Sequence, residues 1–138
     1  MKSTLAVILY STTLLAFFCS YFLDLTMDNA DQYLAITALV FMDGFFGIIA
    51  GVKREGFKTY KAIKVLRTLF YWAVILTVTL MIEKGFPGTA WLSETVVLPF
   101  MVFQLISALK NASMAGFINQ KELNYVLDKI DKHKGMRT

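Results

Sequence analysis

The residues that could do chemistry are few, and their types point to contacts between helices. Asp43 stands inside an apolar stretch, with Gly47 four residues on and Gly51 four more, so the three share one helical face. A charged group at the centre of a bilayer costs about 2.5–3.5 kcal/mol, and such groups face a bundle interior or water. Gly47 and Gly51 form a GxxxG spacing, which lets two helices approach closely, and Gly44 widens the small stripe. Two readings follow. In one, the stripe is a helix contact, including one between copies of the chain, whose strength depends on the charge state of Asp43. In the other, it packs within the chain, with Asp43 neutral or bonded to a Ser, Thr or Gln. A second stripe, Gln104, Ser107, Asn111 and Gly116, is flanked by Ala108, Ala112, Ser113 and Ala115 and reads as a further packing face.

Catalytic groupings are missing from the sequence. There is no CxxC, HExxH, P-loop or GxSxG pattern. The one histidine, His133, lies in a lysine-rich tail and reads as a solvated surface residue. The lone Cys19 allows no internal disulfide and reads as a small buried hydrophobe. With no nucleophile paired to a base, no enzyme, cofactor or metal site is expected.

The elements that position these residues are membrane spans. Of 138 residues, 57% are hydrophobic and 17% are charged, with a mean hydropathy of +0.57. A soluble domain carries about 25% charge. Four apolar runs cover about residues 4–23, 33–52, 65–82 and 91–109. Each suits a spanning helix at 1.5 Å per residue across roughly 30 Å of hydrocarbon. Helix is the required conformation, because lipid offers the backbone no hydrogen-bond partner. The first run is longer than the apolar core of a signal peptide and is expected to stay as a span. Pro99 removes one backbone donor and is expected to bend the fourth span.

The expected fold is all-α: a four-helix transmembrane domain over residues 1–110 and a cytoplasmic amphipathic tail over 111–138. In the tail, Leu123, Val126, Leu127 and Ile130 recur at helical spacing, and Lys121, Glu122, Asp128, Lys129, Asp131 and Lys132 cover the remaining surface. Such a helix packs on its own domain, lies on the membrane surface or associates with a second copy.

Charge sets the orientation. Lys53, Arg54, Lys58, Lys61, Lys64 and Arg67 crowd the connection between the second and third spans, where they fix topology and meet lipid headgroups. Lys53 and Arg54 also suit the dipole at the end of the second span. The connection after the first span holds Asp24, Asp28 and Asp31 and no base. The connection after the third holds Lys84 beside Glu83, in a turn built from Gly85, Pro87 and Gly88. With both termini inside, thirteen of the fourteen basic residues, Arg137 in the tail included, fall on the cytoplasmic side. The net charge of +4 thus belongs to membrane margins and does not imply nucleic acid.

The block Asp43-Gly44-Phe45-Phe46-Gly47, the basic loop from Lys53 to Lys64 and the entry Val65-Leu66-Arg67 resemble the bacteriophage holin family 4 proteins. These include toxin-secretion and phage-lysis holins. Asn111-Ala112-Ser113-Met114-Ala115-Gly116 is similar to the family's asparagine–glycine segment, although Lys110 stands where the family often has an acidic residue. The resemblance covers roughly residues 30–130 through order, spacing and size. It implies a homo-oligomer of the bacterial cytoplasmic membrane. That assembly opens lesions at a set time and works with an endolysin without needing to touch it. Two other classes fit the same residues: an accessory subunit of a membrane complex, and a small channel, transporter or membrane effector with Asp43 as an ion or proton site.

The charge asymmetry predicts that a periplasm-dependent reporter is active when fused at Gly85 and silent at the C-terminus. An active C-terminal fusion would reverse the topology.

Overall fold

The computed structural model describes residues 2–56 and 58–135, which form helices and the turns between them. Arg137, counted above with the tail bases, lies outside the described residues. Helix α1 runs Lys2–Asp28, α2 Ala30–Glu55, α3 Thr59–Gly85, α4 Leu92–Ala115 and α5 Gln120–Gly135. The first four are long and apolar enough to cross a membrane, as a multi-pass membrane protein requires. All four extend past the apolar runs that announce them, because helix continues into the polar margins. In particular, α4 passes through Pro99 and Asn111 to Ala115, so the bundle outlasts the boundary expected at residue 110. The turn between α3 and α4 forms a short 3₁₀ segment at Pro87–Thr89, closed by Thr89 N–H to the Phe86 carbonyl at 2.8 Å.

Register follows from contacts between elements. On α2 and α3, Tyr33 bonds Thr77 at 2.8 Å, Gly44 faces Val65 and Gly51 faces Lys61, so these helices are antiparallel. On α2 and α4, Asp43 meets Asn111 and Lys53 meets Ala115, so these are parallel. The bundle of α2, α3 and α4 has two dissimilar halves. Toward the acidic end, Ile36, Val40, Leu76, Leu80, Val97 and Phe100 form a buried apolar core, and Trp72 stacks on Phe100 with ring centroids 3.5 Å apart. Toward the basic end, the buried residues of α2 and α4 are small: Ala50, Gly51, Ala108, Ala112 and Ala115. Small residues let two backbones approach where lipid supplies no hydrophobic drive.

Helix α1 joins this bundle only through its last turns. Residues 3–20 are all exposed, and burial begins at Tyr21 and Leu25, which reach the apolar core. Lys84, at the far end of α3, places its ammonium 5.1 Å from the centre of the Tyr21 ring, a cation–π contact. Cys19 is exposed, against its expected burial, because the part of α1 that carries it has no neighbouring helix. The polar residues of α1 are satisfied without one. Ser11, Thr12 and Thr13 donate to carbonyls of Ile8 and Leu9 at 2.8–3.0 Å, as hydroxyls in apolar helices do.

The N-terminus of α4 lacks a side-chain cap of its own, and Glu83 of α3 supplies one. Its Oε1 accepts the Ser93 N–H at 2.5 Å, placing a carboxylate at the positive end of the helix dipole.

Leu76, 0% exposed, fills the core's centre, whereas Leu14 on α1 is 59% exposed. Leu76→Ala should cost about 2 kcal/mol, mainly through the cavity it leaves, and Leu14→Ala within about 0.5 kcal/mol of nothing. Reversible unfolding in mixed micelles separates the two, and equal effects would place the core elsewhere.

Candidate functional site

The sequence places Asp43 and Asn111 on different spans, and the fold brings them together. Asn111 donates from Nδ2 to Asp43 Oδ1 at 2.8 Å in a half-buried setting. The partner is therefore an asparagine, where a Ser, Thr or Gln was expected. Gly47 makes room for it: a Cβ there would lie 3.2 Å from Asn111 Nδ2. Gly44 admits the branched Val65 of α3, whose methyls would overlap any added Cβ. Gly51 lies under the Lys61 side chain. All three glycines thus face other parts of the same chain, which is the intramolecular reading of the stripe.

Around this bond lies an open cleft of about 530 Å³ between α2, α3 and α4. Its wall nearest the apolar core is Val40, Phe100 and Phe103. Polar groups of α4, Gln104 and Ser107, line it beside Asn111, and Lys61, Lys64 and Thr68 line it from α3. The buried Gln104 Oε1 has no hydrogen-bond partner among the described residues. An unmade bond of that kind carries a desolvation cost of about 1–3 kcal/mol.

Register also sets which residues lie level with Asp43. Its neighbours across the bundle are Asn111, next to Lys110, and Val65 opposite Gly44, next to Lys64 and two residues from Arg67. Asp43 therefore stands level with Lys64 and Lys110 along the bundle. Along α3, the uncharged run between Arg67 and Glu83 spans about 24 Å at 1.5 Å per residue. The run between Glu94 and Lys110 on α4 is equally long, about 24 Å. Basic side chains can extend such belts by reaching toward the interface.

The six clustered bases divide their roles. Lys53 and Arg54 occupy the last turn of α2, as expected, but they reach across to α4. Lys53 donates to the Ala115 carbonyl, and Arg54 to Met114 Sδ at 3.3 Å. Lys58 pairs with Glu55 at 2.5 Å, and the hydrogen bond and charge of that carboxylate hold the ammonium above its ordinary value. Lys61 and Lys64 face the cleft, and Arg67 is exposed outside its lining.

Gly116 does something other than line a packing stripe. With φ of 89° it is left-handed, a conformation that favours glycine. Its N–H bonds the Ser113 carbonyl at 3.0 Å, and Phe117 N–H bonds that of Ala112 at 2.9 Å. This pair of bonds is a Schellman terminator. The turn it makes sets the Phe117 ring 5.3 Å from that of Phe46 on α2.

Beyond the turn, Asn119 and Glu122 exchange bonds: Glu122 N–H to Asn119 Oδ1 at 2.9 Å, and Asn119 N–H to Glu122 Oε2 at 3.1 Å. This reciprocal cap starts α5, and an Asx residue three before a Glu was its legible signal. Helix α5 then turns Val126 and Ile130 toward Val102 and Leu105 of α4 across an apolar groove. Among the described residues, no group of three or more His, Cys, Asp or Glu is placed to hold a metal ion.

Comparison with protein-family models, curated proteins and solved structures produced no match. Functional inference therefore rests on the residues and their geometry.

The glycine contacts predict a ranking. Gly44→Ala meets a branched side chain close to the α3 backbone and should be the most damaging. Gly47→Ala needs a shift of a few tenths of an ångström in Asn111, and Gly51→Ala meets only the flexible end of Lys61. Thermal unfolding in detergent should give losses in that order, with Val65→Ala restoring Gly44→Ala. Equal losses, or no rescue, would show that α2 and α3 do not meet there.

Proposed function

We propose that this chain is a holin-type protein, which assembles in a bacterial cytoplasmic membrane and permeabilises it. The observation that carries the reading is the placement of the polar cleft. Asp43, Asn111, Gln104 and Ser107 gather in one half of the bundle and end at the apolar layer of Val40, Leu76 and Phe100. One copy therefore offers no continuous polar path, which weighs against a channel or transporter built from a single chain. A hole made from these groups needs several copies and a repacking that turns the polar faces toward common water. Such a change lies between two packings of similar energy. The small-residue contact of α2 with α4 is the part best suited to reopen, because its packing is backbone-close and holds few interlocked large side chains. The resemblance of the Asp43–Gly47 block and the Asn111–Gly116 segment to holin family 4 adds to this reading, as does the basic asymmetry favouring cytoplasmic termini. In this proposal the partners are further copies of the chain and the lipid bilayer. An endolysin follows without direct contact, and the tail helix α5 stays on the cytoplasmic side.

A second reading draws on α1. Its exposed first five turns suit an accessory subunit whose α1 packs permanently against another protein of a membrane complex.

One experiment separates these readings. Expressed alone in a bacterial host, the chain should accumulate without harm and then collapse the membrane potential abruptly, as read by a potential-sensitive dye. Asp43→Asn keeps an acceptor for Asn111 but cannot ionise, so it should accumulate normally and shift the onset. A polarised membrane at full accumulation would remove the holin reading. A wild-type schedule in Asp43→Asn would remove the charge of Asp43 from the trigger.

A further inference from the structure

We infer that the cleft between α2, α3 and α4 binds a phosphodiester, as the headgroup of a glycerophospholipid that carries hydroxyl donors. The inference is independent of what the chain does to the membrane.

Charge comes first. Lys61 and Lys64 both line the cleft, and neither forms an ion pair among the described residues. Glu55, which lines the adjoining space with Lys61, is already held by Lys58 at 2.5 Å. Against these two cations the cleft sets one carboxylate, Asp43. An ionised Asp43 leaves one net positive charge, which a single phosphodiester neutralises. Lys61 and Lys64 are three residues apart on α3 and lie in its first two turns, where the dipole adds to the attraction for an anion.

Hydrogen bonding comes second. Asn111 occupies Oδ1 of Asp43, and Oδ2 has no protein partner among the described residues. An acceptor beside two cations suits a ligand that is an anion with its own donor. A glycerol headgroup meets that condition and a choline headgroup, whose quaternary nitrogen has no N–H, does not. The unpartnered Oε1 of Gln104 adds a further acceptor for such a donor on the same wall.

Depth and shape come third. The cleft changes from Lys61 and Lys64 to Val40, Phe100 and Phe103 within one space, as a molecule with a polar head and an apolar stem requires. Its level is the basic belt of Lys64, Arg67 and Lys110, where the phosphates of a bilayer leaflet lie. A volume of about 530 Å³ falls within the range of small-molecule sites.

The test uses the full chain purified in detergent, with thermal unfolding followed as lipid is added. Phosphatidylglycerol should raise the transition temperature, and phosphatidylcholine at equal concentration should raise it far less. Lys61→Gln with Lys64→Gln should require roughly tenfold more phosphatidylglycerol for the same rise, the loss expected for a charge-assisted contact. Lys129→Gln with Lys132→Gln on α5 removes the same charge elsewhere and should leave the response unchanged. Ser107→Leu fills the cleft without altering charge and should also blunt the response, each variant being read against its own lipid-free transition. A full response in both cleft variants, or an equal loss in the α5 variant, would overturn the site. An equal response to phosphatidylcholine would overturn the hydroxyl-donor requirement. Soluble glycerophosphoglycerol acting as strongly as the lipid would overturn the lipid as the source.

Discussion

The close approach of α2 and α4 is the constraint on which the rest of the bundle depends. These helices are parallel and not consecutive, so no connection sets their register, and lipid gives them no hydrophobic reason to meet. What brings them together is space and one polar bond. Gly47 leaves room, Asn111 enters it, and Asp43 receives the amide at 2.8 Å. Once that pair is made, α3 has one place to lie, with Val65 over Gly44 and Thr77 reaching Tyr33. The Schellman turn at Gly116 and the crossing of Lys53 to Ala115 then close the same end.

The two halves of the bundle follow from this. Large side chains hold helices apart at ordinary packing distance, so the acidic half is filled by Ile36, Leu76, Leu80 and Phe100. Small side chains draw α2 and α4 together, so α3 cannot fill the basic half as completely, and a cleft opens there. The polar groups of that half are therefore concentrated in the one region where they can reach one another or water. A buried carboxylate in the apolar half would have had neither, at a cost of several kcal/mol.

Much of the architecture was legible because lipid restricts the choices. Four apolar runs had to be helices, the Gly85–Gly88 region had to turn, and the stripe at Gly44, Gly47 and Gly51 had to meet something close. Sequence could not say what it met. Periodicity assigns a residue to a face, but the partner of that face depends on the register between helices far apart in the chain. That is why Asp43, central in its apolar run, proved level with Lys64 and Lys110, and why its partner was Asn111. Gly116 was misread for a related reason. Its place at the end of a small-residue stripe hid its positive φ, which only the following turn demands. The cap at Asn119 and Glu122 was local and could have been read directly.

Helix α1 shows how little a membrane helix needs from its neighbours. In water, a helix with residues 3–20 exposed and apolar would be untenable, because burial supplies most of a helix's stability. In lipid, its backbone is satisfied internally, and Ser11, Thr12 and Thr13 turn their hydroxyls onto their own carbonyls. It therefore needs only an attachment, which Tyr21 and Leu25 provide at the acidic end. The bundle and its cleft are complete without the first five turns of α1. None of those turns contributes to the bond between Asn111 and Asp43, which is made by α2 and α4 alone. The chain thus combines a packed three-helix unit with a helix whose first five turns are left to whatever surrounds them.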